Sequence, residues 1–141
     1  MIQLSNLTAQ VLTPTGITQA LTFDKIIHKS CCSKNECFTS QLPTSVRLTG
    51  GCNAKYMVYF HGNVSGAVGD VLQLYIALAN QPLVETEMRV IPVNDPNSNS
   101  VTAVTEVVLT CGDLDRLSVV NGGTTNIAIA PNATLLVRRV A

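Results

Sequence analysis

Tryptophan is absent from this 141-residue chain, and its aromatic set stops at three Tyr and three Phe. Sugar sites generally pair aromatic platforms with polar side chains, so this shortage counts against a carbohydrate-binding surface. Charge is scarce as well: Asp, Glu, Lys and Arg make up 13%, nine acidic against nine basic. A balanced chain offers no basic face to nucleic acid and no acidic tail to a basic partner. Long apolar runs are missing too. The longest, "VLQLYIALA" from Val71 to Ala79, is broken by Gln73, and a spanning helix needs about 20 apolar residues. No membrane partner is expected. The opening "MIQLSNLTAQ" lacks a positive start and a long apolar centre, so no signal peptide is read and synthesis in a reducing cytoplasm follows.

So little charge would cover a solvated monomer poorly, and burial in an oligomer is one way to relieve it. What the chain does have is Val, Ile, Thr and Leu in short runs punctuated by Gly, Pro, Asn and Asp. That pattern belongs to a sandwich or barrel of strands. "YMVYFHGNV" puts Tyr56, Val58 and Phe60 on one face and Met57, Tyr59 and His61 on the other. "LQLYIAL" sets Leu72, Leu74, Ile76 and Leu78 against Gln73, Tyr75 and Ala77. Side chains at i and i+2 share a strand face, so this period of two predicts strands. About ten are expected: 7–12, 20–27, 45–49, 55–64, 71–80, 83–92, 101–110, 114–121, 126–130 and 133–140. A single all-β domain over 1–141, built as a jelly roll, suits that number. Its core should include Tyr56, Val58, Phe60, Leu74, Ile76 and Leu78.

Catalytic patterns are weak. Ser65 in "GNVSGAVG" has Gly62 three residues before it, where a nucleophile elbow needs two, and no helix pattern follows. Glu85 and Glu87 share a strand face with Arg89. Alternating charge of that kind normally marks a solvent face, although two carboxylates at strand spacing can cut a glycoside. Sequons at Asn6, Asn63 and Asn132 are no more than chance supplies. No enzyme is read from these residues.

The stretch "HKSCCSKNECF" brings His28, Cys31, Cys32 and Cys37 together, while Cys52 and Cys111 lie far off. Cys32 and Cys37 are separated by four residues, a spacing that zinc ligands use. His28 is a candidate third ligand, with Cys31, Cys52, Cys111 or His61 as the fourth. A late disulfide is the other way to tie the loop, with Cys32 and Cys37 as first members and Cys111 as the distant partner. Free thiols are the third option. A structural zinc is the only cofactor in question.

Taken in order, "KYMVYFHGNV" after Gly50-Gly51, "VLQLYIALANQPLVET", "GDLDRLSVVNGG" and the closing "NATLLVRRV" resemble the globular heads of the complement and tumour-necrosis-factor-like superfamily. They are most similar to its compact forms in small tailed-phage virion proteins and bacterial spore-surface knobs. The opening "MIQLSN" and closing "LLVRRVA" are closest to the phage group. Where vertebrate heads carry Gly before the aromatic and Phe after it, this chain has Lys55 and Val58, so their calcium and receptor residues do not carry over.

The resemblance implies a ten-strand jelly roll that assembles as a homotrimer. It implies a non-enzymatic protein of the virion surface, a capsid decoration whose partners are other virion proteins, the major capsid protein first. No stalk pattern precedes the jelly roll, so residues 1–19, which carry no charged side chain, are expected to serve as an attachment arm. The alternatives are a receptor- or glycan-binding knob of a head or tail fibre, or a spore-surface knob.

Overall fold

A computed structural model of the chain describes residues 1–29, 38–41, 44–48, 52–93, 98–109 and 116–140, with backbone alone for 28–29 and 38–41. Two antiparallel sheets face each other. The first contains β1 (Ile2–Ser5), β2 (Gln10–Leu12), β3 (Lys25–Lys29), β6 (Lys55–Ser65), β10 (Asn99–Val108), β12 (Ile127–Ile129) and β13 (Thr134–Arg139). The second contains β4 (Phe38–Gln41), β5 (Ser45–Leu48), β7 (Leu72–Leu78), β8 (Gln81–Pro82), β9 (Met88–Val90) and β11 (Arg116–Asn121). Strands of each sheet are drawn from both ends of the chain. A double-sheet jelly roll results, as the period-two pattern predicts.

Strand β6 is the spine of the first sheet. On one edge it pairs with β10 in an unbroken ladder from Val64↔Asn99 to Lys55↔Val108. On the other edge it pairs with β13 over residues 56–61 and then with β12 at residues 64–65. Beyond β13 lie β1 and then β3. In the second sheet β7 is central, between β11 on one edge and β9 with β8 on the other.

Alternation decides which side chains meet. Tyr56, Val58 and Phe60 of β6 are fully buried, as are Leu135 and Val137 of β13 and Ile2 and Leu4 of β1. Across the sandwich, Leu72, Leu74 and Ile76 of β7 and Leu117 and Val119 of β11 complete one apolar cluster. Leu78 is only partly buried and packs against its margin. Each large apolar side chain buried this way contributes about 1.5–3 kcal/mol.

Several expected boundaries move. Residues 7–12 resolve into a bend and the short β2, while the unpredicted β1 occupies the interior of the first sheet. The expected arm over 1–19 is therefore not a free tail, since both of its strands are hydrogen-bonded into that sheet. Only the loop from Thr13 to Gln19 projects. The stretch 20–27 crosses between sheets: Leu21 donates its N–H to Val119 O at 2.8 Å, and the chain then joins β1 through β3. Leu21 and Phe23 are fully buried on the way. The segment 83–92 begins as a 3-10 turn, Val84–Thr86, because the Thr86 hydroxyl donates to Leu83 O at 2.6 Å and accepts from Ile76 N at 3.0 Å.

Two fully buried asparagines close the ends of strands. Asn6 Nδ2 donates to Thr8 O at 3.0 Å and Ala130 O at 3.1 Å, and its Oδ1 accepts from Ala133 N at 2.8 Å. Asn121 Nδ2 donates to Leu12 O and Thr125 O at 2.9 and 2.8 Å, and its Oδ1 accepts from Gly123 N at 3.0 Å. With its amide so engaged, Asn6 has none left for a glycan. Asn6→Ala strands two carbonyls and an N–H in the interior. It should destabilise the domain by on the order of 3 kcal/mol in urea unfolding. A loss below about 1 kcal/mol would show that the amide is replaceable by water.

Candidate functional site

The residues of β6 that point away from the core build the most distinctive surface of the molecule. Tyr59 stands between Leu136 of β13 and Val104 of β10, its direct cross-strand partners. Tyr59 is 36% exposed and Val104 57%, while Leu136 is half-buried. One rung along, Met57 lies between Arg138 and Glu106; the next rung holds Val108 beside Lys55. On the other side of Tyr59, His61 lies between Thr134 and Thr102, and its Nδ1 is 3.1 Å from Thr102 Oγ1. Ser100 Oγ then donates to Asn63 Oδ1 at 2.9 Å.

The outer face thus has an apolar middle (Met57, Tyr59, Val104, Leu136 and Val108) with a polar border. A strand exposed to water on that side would normally carry charge, yet Lys55, Glu106 and Arg138 are the only charged side chains that β6, β10 and β13 turn outward. Contiguous apolar surface rimmed by polar groups marks a contact face. The composition hinted at such a face, but cross-strand register was needed to place Val104 and Leu136 on either side of Tyr59.

The groups weighed for catalysis do not form a catalytic arrangement. Ser65 ends β6 and leads into a loop, with no helix behind it. Glu85 and Glu87 are exposed with Arg89, so this row is a solvent face; Glu87 Oε1 accepts from Gln73 Nε2 at 2.9 Å.

Of the metal candidates, His28 has its backbone opposite Gln3 on β3, and its side chain lies outside the described residues. Cys32, Cys37 and Cys111 lie outside them altogether, as does Cys31. Among the described residues no three His, Cys, Asp or Glu side chains gather as a metal site. Cys52 is disulfide-bonded. A bridged cysteine offers no thiolate, so Cys52 leaves the set of fourth zinc ligands. The sequence reading placed a bridge among Cys32, Cys37 and Cys111 without singling out Cys52. Its neighbour Asn53, at φ 62°, marks the tight turn that brings β6 into register.

The fold is similar to the solved structure of Eiger TNF from S. frugiperda, with a TM-score of 0.65 at 13% identity over 99% of this chain and 91% of that one. Murine APRIL, crystallised at pH 5.0, aligns at a TM-score of 0.47 and 12% identity over 88% and 98%. No protein-family model and no curated protein sequence matches the chain. The architecture is a TNF-like jelly roll, as the sequence resemblance implies.

One bridge among five cysteines leaves at most three free thiols. Thiol titration of denatured, unreduced protein should give three or one, and five after reduction. Five thiols before reduction would remove the bridge.

Proposed function

We propose that this chain is a non-enzymatic structural protein of a tailed-phage virion, a homotrimeric decoration of the capsid surface. The observation that carries the reading is the outer face of the first sheet. Its apolar middle row needs cover, and cyclic association of three copies covers one face with the edge of the next without leaving an open end. The low charge of the whole chain points the same way, because a trimer hides surface that a monomer would have to solvate.

Attachment to the major capsid protein falls to the loop between β2 and β3. Thr13 N donates to Thr18 O at 3.1 Å, Thr13 Oγ1 is hydrogen-bonded to Thr18 Oγ1, and Gln19 N donates to Gly16 O at 3.3 Å. The loop therefore presents Ile17, 96% exposed, on a closed frame. An apolar side chain held out in this way suits insertion into a pocket of a neighbouring protein at little cost in conformational entropy. No membrane or nucleic-acid partner is invoked. The support for a phage origin is the sequence resemblance, and the support for a structural role is the TNF-like fold with its apolar face.

A cryo-EM map of the phage particle that carries this gene tests the reading. The expected result is threefold density on the capsid exterior, with Ile17 at the contact. Absence of the chain from purified particles would overturn it.

A further inference from the structure

The outer face of the second sheet is a different surface, and its central side chain is Tyr75. This residue opposes Val120 of β11, and its neighbour on the same face, Gln73, opposes Arg89 of β9. Gly122 follows β11 and donates its N–H to Gln73 O at 3.0 Å. A Cβ on Gly122 would lie 2.5 Å from Tyr75 Cδ2 and 2.6 Å from Cε2. A Cβ on Gly123 would lie 3.3 Å from both Cβ and Oε1 of Gln73. The "NGG" turn thus does more than reverse the chain. It leaves the space in which the tyrosine ring lies down along the sheet.

The ring has a prepared polar border. Glu87 Oε1 accepts from Gln73 Nε2 at 2.9 Å. Burial and then the Glu87 charge hold the phenol above its usual pKa, while Arg89 pulls weakly the other way. One donor from β7 holds the Glu87 carboxylate, which is exposed together with Arg89, whose guanidinium can only donate. An aromatic surface edged by fixed acceptors and donors matches a pyranose, with its C–H face on one side and vicinal hydroxyls at the rim. A carboxylate at the border disfavours an acidic sugar.

We propose that Tyr75, Gln73, Glu87 and Arg89 form a shallow binding site for a neutral hexopyranose of a surface glycan. The scarcity of aromatics argues against an extended sugar platform, but a single-ring site needs only one. The site lies on the opposite side of the sandwich from the apolar face of the first sheet, and the proposal does not depend on a trimer.

The test titrates the intact chain with methyl α-D-glucopyranoside, methyl α-D-galactopyranoside and methyl α-D-mannopyranoside, followed by NMR. At least one should bind in the millimolar range and shift the Tyr75 ring and Gln73 side-chain amide resonances. Tyr75→Ala should weaken that binding about tenfold. Gly122→Ala keeps every polar group but displaces the ring, and should weaken binding with a similar fold. If Tyr75→Ala fails to fold, Arg89→Ala, an exposed change, gives the same reading through lost binding with an unchanged backbone spectrum. The proposal is overturned if none of the three glycosides shifts these resonances, or if the folded variants bind as tightly as the native chain.

Discussion

The structure depends on the register of one strand. Between Lys55 and Ser65 the chain alternates so that Tyr56, Val58 and Phe60 face inward and Met57, Tyr59 and His61 face outward. Three other strands, β10, β12 and β13, take their alignment from this one. A slip of a single residue would exchange the faces, burying His61 and Asn63 and exposing Tyr56 and Phe60. The inward residues make the domain stable, and the outward ones make the surface for which we propose a partner. Folding and assembly are two readings of the same alternation.

Three of the buried polar side chains, Asn6, Thr86 and Asn121, serve the corners of the sandwich. Asn6 and Asn121 satisfy backbone atoms where strands end, and Thr86 does so where β7 meets the 3-10 turn. Among the described residues no buried side-chain nitrogen or oxygen lacks a partner. A β-sandwich must turn sharply at both ends, and each turn leaves backbone groups without ladder partners. Short amides that both donate and accept fill that need, and a hydrophobic side chain of the same size would leave those groups unpaired.

The sequence made the strong alternations legible. The strands β6, β7, β10 and β13 lie where the period of two places them, because each has one mainly buried face that fixes its pattern. Strand β11, buried on both faces from Leu117 to Asn121, lies where its bounding turns place it. Strand β1 escaped notice, since "IQLS" spans too few residues to display a period and its closing partner, Asn6, looked like a chance sequon. The turn at Val84–Thr86 escaped for another reason. Its charged row alternates as a strand would, and only the Thr86 hydroxyl, bonded across to β7, distinguishes the two. For the surfaces, the outward residues of β6 could be read directly. Their neighbours Val104 and Leu136 could not, since they come from distant parts of the chain and meet only through register. The space under Tyr75 was likewise invisible until Gly122 was brought beside it.

In the proposed assembly, the outward side of β6 is covered by further copies of the same chain. Sedimentation equilibrium at micromolar concentration measures this most directly, on the native protein and on Tyr59→Asp. A carboxylate at the centre of an apolar contact would be left desolvated and unpaired. The native protein should sediment at three times the chain mass, and the variant as a single folded chain. A native protein that sediments as one chain, or a variant that keeps the trimer mass, would contradict this assembly.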